Sequence, residues 1–285
     1  MSMSLQRRFL GMNILIVLML LIGCNNITQP SSREKTATAS DTLPNKKIAV
    51  NPFKWKPLKY DSGKDYVYLT FDDGPQNGTQ AVFDLIKKLQ VKATFFMVGG
   101  HANSPHLKSI VHQIKYDYPQ TLLANHSTSH ANNHYNYFYH HPYMAAEDLY
   151  LSQKTLSVPY MIIRLPGNSA WVLDDTMKAS KLVKPVCKLL DSSGYNVIGW
   201  DVEWGFNHKT ANPLQKPQIM ANQVDSALAK NHVHNRNHVV LLAHDRMFRK
   251  QNYLDSLEKF ITILKQNPNL VFETVDHYPK VKITN

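Results

Sequence analysis

Short apolar runs of strand length alternate with helical patterns along most of this chain, and that alternation restricts its fold more than any other feature. The runs are rich in β-branched and aromatic residues, which is typical of buried strands. Between several of them apolar residues recur at helical spacing, for example from Val82 to Leu89. Strands that alternate with helices form largely parallel sheets, so we predict an α/β domain of about seven parallel strands, and seven strands favour a barrel over an open sheet. The predicted strands are Tyr66–Phe71, Ala93–Val98, Thr121–Asn125, Met161–Pro166, Tyr195–Trp204, His238–His244 and Leu270–Val275.

The N-terminal segment has the pattern of an export signal. Arg7 and Arg8 precede an apolar run, Phe9–Ile22, which is too short to span a bilayer comfortably. Its length and basic flank are typical of a signal peptide, and the sequence LIGC at its end resembles the bacterial lipobox, in which the cysteine carries lipid. We therefore predict a signal peptide over residues 1–23 and a lipidated Cys24 that anchors the protein to a membrane of the bacterial cell envelope. An uncleaved N-terminal anchor is the alternative, and it also places the domain outside the cytoplasm.

Composition divides the rest of the chain into a tether and a domain. Residues 24–47 are rich in Ser, Thr, Asn and Lys and have almost no large apolar side chains, which predicts a flexible tether. Residues 48–285 are predicted to form one catalytic domain, expected to be monomeric. The formal net charge is +11, but the lysines are scattered and the domain is expected outside the cytoplasm, so no nucleic-acid partner is predicted. If Cys24 carries lipid, Cys187 has no disulfide partner and is expected to be a small buried side chain.

Two adjacent carboxylates, Asp72 and Asp73, follow the first predicted strand and precede a Gly-Pro turn. In α/β folds the chemistry lies at the C-terminal ends of strands. Adjacent carboxylates repel each other unless a metal or another cation separates their roles. The pair therefore points to a metal-dependent site, and a solvated Asp-Gly turn is the alternative that the pair alone leaves open.

A second motif, His126 and His130, follows the third predicted strand. Histidines four residues apart would lie on one face of a helical turn, so that both imidazoles reach one ion. With Asp73 they would form a site of two histidines and one carboxylate, which leaves coordination positions open for water, as catalytic zinc requires. His134 continues the same spacing and is the rival ligand, and a His-rich surface loop without a metal is the alternative.

Three further motifs each lie at the end of a predicted strand. Arg164 can hold a carboxylate in fixed geometry, although an ordinary surface salt bridge is the alternative, and the Pro166-Gly167 turn can present a backbone N–H to an oxyanion. His244 ends the sixth predicted strand. A carboxylate from the segment Trp200–Trp204 could orient His244 and raise its pKa, making it a general acid.

These motifs, taken in order, resemble those of the NodB-homology polysaccharide deacetylases, which form carbohydrate esterase family 4. The resemblance rests on Thr70–Pro75, His126–His130, Arg164–Gly167 and Leu242–His244, and it extends from about Tyr66 to Val275. It implies a deformed (β/α) barrel and metal-dependent hydrolysis of an N-acetyl or O-acetyl group on a carbohydrate.

The resemblance also implies a role for each matching residue. The metal would be zinc, with Co²⁺ or Ni²⁺ as alternatives, and one residue each would serve as base, acid, oxyanion donor and contact for the acetyl methyl. The implied ligands are Asp73, His126 and His130; the base is Asp72, oriented by Arg164; the acid is His244; the oxyanion donor is Gly167; and the methyl contact is Leu242.

The segment Trp200–Trp204, which is the fourth motif in chain order, departs from the family pattern. In that pattern an Asp-x-x-Asp-Trp run follows Trp-x-Val. Aligning Trp200-Asp201-Val202 with Trp-x-Val puts Glu203 at the first Asp and Phe206-Asn207 at the final pair. Moving the alignment by one makes Glu203-Trp204 the pair of an acid and a Trp. Asp201 and Glu203 are therefore candidates for orienting His244, and Trp204 is the candidate for the wall of the acetyl pocket.

The function that these patterns predict is removal of N-acetyl groups from a glycan, such as peptidoglycan, a chitin-like oligomer or an exopolysaccharide. Such an enzyme is a hydrolase acting on the carbon–nitrogen bond of a linear amide. An O-acetyl esterase acting on xylan is the enzymatic alternative. A lipoprotein that binds glycan without turnover is the alternative from another class.

Overall fold

The computed structural model describes residues 54–283. The predicted signal peptide, Cys24 and the tether lie outside the described residues, as do the first residues of the predicted domain. Over residues 54–283 the longest apolar helices fall short of what a membrane crossing requires, so none qualifies as a span.

Ten strands form one sheet, which curls into an α/β deformed barrel, as predicted. The long strands are central and the short ones lie toward the edges. The strands are β1 (Asp65–Gly74), β2 (Ala93–Met97), β3 (Thr121–Asn125), β4 (Ile162–Ile163), β5 (Trp171–Leu173), β6 (Thr176–Lys178), β7 (Asn196–Val197), β8 (Val202–Glu203), β9 (His238–His244) and β10 (Leu270–Phe272).

Within residues 54–283 seven α-helices cover the sheet, and the apolar faces that the sequence predicts are the buried ones. On the first helix, for example, Val82, Phe83 and Ile86 are buried against the core. The helices are α1 (Thr79–Leu89), α2 (Pro105–Tyr116), α3 (Tyr135–His140), α4 (Pro142–Thr155), α5 (Lys184–Ser192), α6 (Pro217–Ala229) and α7 (Gln251–Lys265).

The order of the strands is β6-β5-β7-β4-β3-β2-β1-β9-β8, and β10 also pairs with β1. All pairings are parallel except those that β5 makes with β6 and β7. Eight strands make parallel pairings, close to the predicted number of about seven, and the sheet departs from the prediction in its total of ten strands and in the antiparallel pairings of β5. The β5–β6 hairpin adds two strands, and the predicted strand Tyr195–Trp204 is divided into β7 and β8.

The division of Tyr195–Trp204 has a topological cause. Strand β7 pairs with β4, whereas β8 pairs with β9, so the chain crosses between two distant parts of the sheet within residues 198–201. At the crossing Asp201 N donates to Val240 O at 2.9 Å. Gly199 is packed so closely that a Cβ there would lie 2.5 Å from Ser169 Oγ and 2.7 Å from Trp171 Nε1, which no other residue type tolerates without a shift.

The register of the central strands brings the predicted motifs together. Asp72 lies opposite Phe96 of β2 and opposite His244 of β9, and β2 in turn aligns with β3, which ends at Asn125. The carboxyl ends of β1, β3 and β9 therefore meet at one end of the barrel, where parallel α/β folds place their sites.

Cys187 has a structural role only. It is a fully buried free thiol in α5, as predicted, and burial raises the pKa of this thiol to about 12.

Candidate metal centre and active site

A cleft of about 320 Å³ opens at the carboxyl ends of β1, β3 and β9. The structure places most of the predicted site residues in its wall. Those in the wall are Asp72, Asp73, His126, His130, Gly167, Glu203, Leu242 and His244. Arg164, Asp201 and Trp204 lie elsewhere, each for a different reason.

Arg164 lies behind Asp72 and is fully buried, so the alternative of a surface salt bridge is wrong. Its Nη1 donates to Asp72 Oδ1 at 2.9 Å and to Thr70 Oγ1 at 2.6 Å, and the other guanidinium nitrogens donate to the backbone oxygens of residues 198 and 199. Because the guanidinium group is bonded on all sides, it can hold the Asp72 carboxylate in one orientation.

Asp72 is 2% exposed, and Asp73 lies in the wall of the cleft, so the alternative of a solvated turn is also wrong. Asp73 has a φ of 75°, which is a left-handed conformation. His101 Nδ1 lies 2.7 Å from the Asp73 carbonyl oxygen and is placed to donate to it. The two neighbouring carboxylates thus differ in their closest partner, which is Arg164 for Asp72 and His130 for Asp73, and this is the condition for different roles.

Asp73, His126 and His130 form the predicted triad. Nε2 of His130 lies 3.1 Å and Nε2 of His126 lies 3.5 Å from Asp73 Oδ1. Among residues 54–283, these are the side chains whose potential ligand atoms come close enough to hold one ion, all within 4.8 Å of one another. The rival ligand His134 is not part of this group.

The charge state of the triad suits a cation. Burial alone would raise the pKa of Asp73, but the adjacent imidazoles of His126 and His130 outweigh it and hold that pKa well below its ordinary value. Nδ1 of His126 lies 2.9 Å from the Arg164 carbonyl oxygen, which accepts a hydrogen bond from it. In the neutral imidazole that bond places the proton on Nδ1 and leaves a lone pair on Nε2, the nitrogen that faces Asp73.

The two histidines do not lie on a helical turn, so that prediction is wrong although they converge. Ser127 and His130 have φ values of 73° and 51°, and the segment is an irregular loop. Ser127 N donates to Asn125 Oδ1 at 2.9 Å and His130 N donates to Ser127 Oγ at 2.9 Å. From α4, Asp148 Oδ1 accepts from the backbone N–H groups of residues 128 and 129 at 2.9 and 3.2 Å.

Replacing Asp148 with Ala is expected to weaken Zn²⁺ binding about 10–100-fold, because the loop that carries both histidines loses its anchor on α4. The measurement is a competition titration with a chromophoric chelator. Glu147→Ala is the matched control, since Glu147 is the exposed neighbour on the same helix. Equal Zn²⁺ affinity in the two variants would contradict this account of the loop.

His244 faces the triad from β9, with Nε2 3.9 Å from Asp73 Oδ2. The expected raised pKa is not found: burial lowers the pKa of His244, and the opposing effects of Asp73 and Asp72 do not offset it. Its Nδ1 is buried and has no hydrogen-bond partner within the described part of the chain. Its ring lies 4.7 Å from that of Phe206.

The two candidates for orienting His244 lie in different places. Asp201 is turned away, because its carboxylate accepts from His234 N at 2.7 Å and from Val240 N at 2.8 Å. The prediction that Asp201 orients His244 is therefore wrong, and burial raises the pKa of Asp201 to about 6. Glu203 lies in the wall of the cleft, and its role stays a prediction.

Trp204 is fully buried in the main core, where it packs against Phe248 and Phe260 and its Nε1 donates to Gln215 O at 3.0 Å. The prediction that it forms the wall of the acetyl pocket is therefore wrong. Trp200 and Phe206 line the cleft instead.

Gly167 has a φ of 64°, and a Cβ there would lie 3.1 Å from the Tyr135 ring. The hydroxyl of the same Tyr135 lies 3.3 Å from His130 Nδ1. The predicted oxyanion donor and one predicted ligand are therefore linked through one aromatic side chain. Sequence reasoning missed this link, as it missed the contacts of Thr70, His101 and Asp148, because each joins residues far apart in the chain.

Comparison with known proteins agrees with this geometry. Residues 59–167 match the family model described as polysaccharide deacetylase. The chain is 26% identical to the chitin disaccharide deacetylase of Vibrio alginolyticus over an alignment of 307 residues, which covers 75% of this chain and 71% of that protein. It is 29% identical to the putative polysaccharide deacetylase YheN of Bacillus subtilis over 167 residues, 54% of this chain and 56% of that protein.

Solved structures share the fold. The catalytic domain of a peptidoglycan N-acetylglucosamine deacetylase from Eubacterium rectale superposes with a TM-score of 0.56 at 24% identity, covering 79% of this chain and 96% of that one. A carbohydrate esterase family 4 esterase from Streptococcus mutans superposes with a TM-score of 0.57 at 23% identity, covering 74% of this chain and 86% of that one. Residues 59–167 therefore carry a polysaccharide deacetylase domain, and the relatives and the fold support a deacetylase enzyme.

Proposed function

We propose that this enzyme removes N-acetyl groups from an N-acetylated glycan, of peptidoglycan, chitin-like or exopolysaccharide type, and that it depends on one divalent metal ion, zinc above all, with Co²⁺ or Ni²⁺ as alternatives. One observation carries the proposal: the Asp73, His126 and His130 triad shares a cleft with a second carboxylate, Asp72, which a buried arginine holds apart from it. In this arrangement Asp73 can serve as a metal ligand while its neighbour Asp72 serves as the base.

The triad fits zinc. Two imidazole nitrogens and one carboxylate oxygen are a common donor set for catalytic zinc, which keeps at least one further position open. Asp73 Oδ1 is buried and faces Nε2 of His130 at 3.1 Å and Nε2 of His126 at 3.5 Å, so when those nitrogens carry lone pairs a cation is needed to offset the charge of the carboxylate. Zinc bound there would supply a Lewis acid that activates water and polarises the acetyl carbonyl.

Asp72 is the proposed base. Arg164 fixes Asp72 Oδ1 at 2.9 Å, which leaves Oδ2 directed toward the triad, 3.6 Å from His126 Nε2. A carboxylate in this position can accept a proton from the attacking water. A positioned base contributes about 10²–10⁴ in rate.

His244 and the opposite wall of the cleft would complete the reaction. An amide nitrogen leaves only when it is protonated, and His244 Nε2 points into the cleft, where it can hold that proton. The backbone N–H of Gly167 can donate to the oxyanion. Leu242 lies in the wall of the same cleft and offers an apolar contact for the acetyl methyl.

The experiment is to measure acetate release by the purified protein from N-acetylglucosamine oligomers, peptidoglycan and acetylated xylan, with added Zn²⁺ and with EDTA. We expect release from an N-acetyl substrate that EDTA abolishes and Zn²⁺ restores. Metal-loaded protein that binds these glycans without releasing acetate would replace the proposal with glycan binding.

O-acetyl ester hydrolysis is the second candidate, and one observation favours it. His244 Nδ1 has no carboxylate to orient it among the described residues, and an ester needs less help from an acid than an amide. His244→Ala separates the two: an esterase would keep most of its release from acetylated xylan, whereas a deacetylase would lose release from N-acetylglucosamine oligomers.

The proposed location is the bacterial cell envelope, with the domain outside the cytoplasm on a lipid anchor at Cys24. The support is the sequence alone, namely the basic flank, the short apolar run and LIGC. Intact-mass measurement of the membrane fraction would detect a diacylglyceryl group on Cys24, and an unmodified Cys24 would contradict it.

A further inference from the structure

A second cavity, of about 600 Å³, lies between the two edges of the curled sheet, and we call it the seam cavity. On one side it is lined by Trp171 of β5 and Lys178 of β6, and on the other by Trp200, Asp201 and the segment 232–234. Strands β6 and β8 are the edges of the sheet, so the cavity occupies the place where the barrel is not closed by strand pairing. Its volume is typical of small-molecule sites, which run from about 300 to 1,000 Å³.

The seam cavity adjoins the catalytic cleft through one side chain. Trp200 lines both cavities and is partly exposed. Its ring lies 5.8 Å from the guanidinium carbon of Arg164, which in turn donates to the proposed base Asp72 at 2.9 Å. The Trp200 side chain is therefore shared by the walls of the catalytic cleft and of the seam cavity.

The walls of the seam cavity are fixed in place. Trp171 stacks on His234 with ring centres 4.2 Å apart and planes 2° from parallel, and on its other side it packs against Tyr278 at 5.2 Å. Trp200 N donates to Ser169 Oγ at 3.3 Å. The Asp201 carboxylate joins the 232–234 segment to β9 through two backbone N–H groups. A site built before its ligand arrives binds with less loss of conformational entropy.

The chemistry of the lining suits a neutral, hydroxyl-rich ligand. The polar groups at its rim are hydroxyl, imidazole and ammonium groups, from Ser169, Ser180, His232 and Lys178. Asp201 already accepts two hydrogen bonds, and burial together with the nearby Lys178 lowers the pKa of His234 to about 4, so the imidazole is neutral near pH 7. One ammonium group is too little charge to select a polyanion, whereas the partly exposed ring of Trp200 beside hydrogen-bonding groups suits a sugar ring.

We propose that the seam cavity binds a sugar residue of the same glycan chain, on the far side of Trp200 from the sugar that is deacetylated. The proposal rests on the proposed function, because it assumes a glycan in the catalytic cleft. It makes chain length a determinant of activity: binding energy gained in the seam cavity by a remote sugar raises kcat/KM at the reacting one.

The test compares N-acetylglucosamine dimer and pentamer as substrates of the metal-loaded protein. The measured quantity is the ratio of kcat/KM for the pentamer to kcat/KM for the dimer. We expect a ratio of about tenfold or more in the wild-type protein. We expect Ser180→Trp, which places an indole in the mouth of the seam cavity, to lower that ratio at least about fivefold.

Ser192→Trp is the matched control, since Ser192 is an exposed serine at the end of α5, outside both cavities. It is expected to leave the ratio unchanged. Two outcomes would overturn the seam-cavity proposal, provided that acetate is still released. One is a wild-type ratio near one, and the other is an equally high ratio in Ser180→Trp and Ser192→Trp. No acetate release from either oligomer by the wild-type protein would instead refute the proposed function, and the seam-cavity proposal with it.

Discussion

Asp72→Asn is expected to lower kcat for acetate release by about 10²–10⁴ while the protein still binds its metal. Asn keeps the shape of Asp and an oxygen for the bond from Arg164 Nη1, now 2.9 Å long, but it cannot take a proton from water. Asp72 is outside the triad of potential ligands, so Zn²⁺ content should stay at one per chain. The measurements are steady-state kinetics and metal analysis of the same preparation.

Asp73→Asn is the matched comparison, because it makes the same change one residue further along. Asp73 Oδ1 is the atom nearest to both imidazoles of the triad, so this variant is expected to lose Zn²⁺ affinity as well as activity. Asp84→Asn, at an exposed position of α1, controls for the loss of one negative charge. If Asp72→Asn keeps kcat within threefold of wild type, or if it loses its metal as Asp73→Asn does, the separation of base and ligand is wrong.

The central strands were predictable, and the edges of the sheet were not. Strands β3 and β9 have the predicted bounds, because in each of them the largely apolar run in the sequence is as long as the buried strand in the structure. The hairpin of β5 and β6 has three residues in each strand, too few to show a period. Its position follows from pairing with β7, which no local pattern records.

The members of the metal triad were predictable, but their geometry was not. The spacing of His126 and His130 suggested a helical turn, whereas the structure achieves the convergence through left-handed residues at positions 127 and 130. Such conformations cost free energy for residues other than glycine. Here the hydrogen bonds that Asn125 Oδ1 and Asp148 Oδ1 accept from backbone N–H groups of the loop offset that cost, and Asp148 is 20 residues away from its partner in the chain.

In the segment Trp200–Trp204, strand geometry limits which residues can face the cleft. Successive residues of a strand point to opposite faces, so Glu203 and Trp204 could not both face the cleft. The structure exposes Glu203 to the cleft and buries Trp204 with Val202 in the helix-covered core. An alignment by residue type alone could not choose between the registers, whereas the alternation of faces excludes the one that needs both residues in the site.

Arg164→Met is expected to reduce the free energy of unfolding by roughly 3–5 kcal/mol, because it leaves a buried carboxylate without its cation. Arg164 is fully buried and Asp72 is 2% exposed, so water cannot replace the lost bond. The substitution also removes the donors to the backbone oxygens of Ile198 and Gly199. Urea unfolding in EDTA measures this, since bound metal would otherwise add to the stability of the folded state.

The double variant Asp72→Asn/Arg164→Met identifies the cause. If the loss in Arg164→Met comes from the unpaired carboxylate, neutralising that carboxylate restores part of the stability, so the double variant is more stable than Arg164→Met alone. If the loss comes from packing and the backbone bonds, the double variant is no more stable than the single one. Arg236→Met, at an exposed position, should change the free energy of unfolding by no more than about 0.5 kcal/mol. A loss below about 1 kcal/mol in Arg164→Met would contradict the view that a buried ion pair holds the base in place.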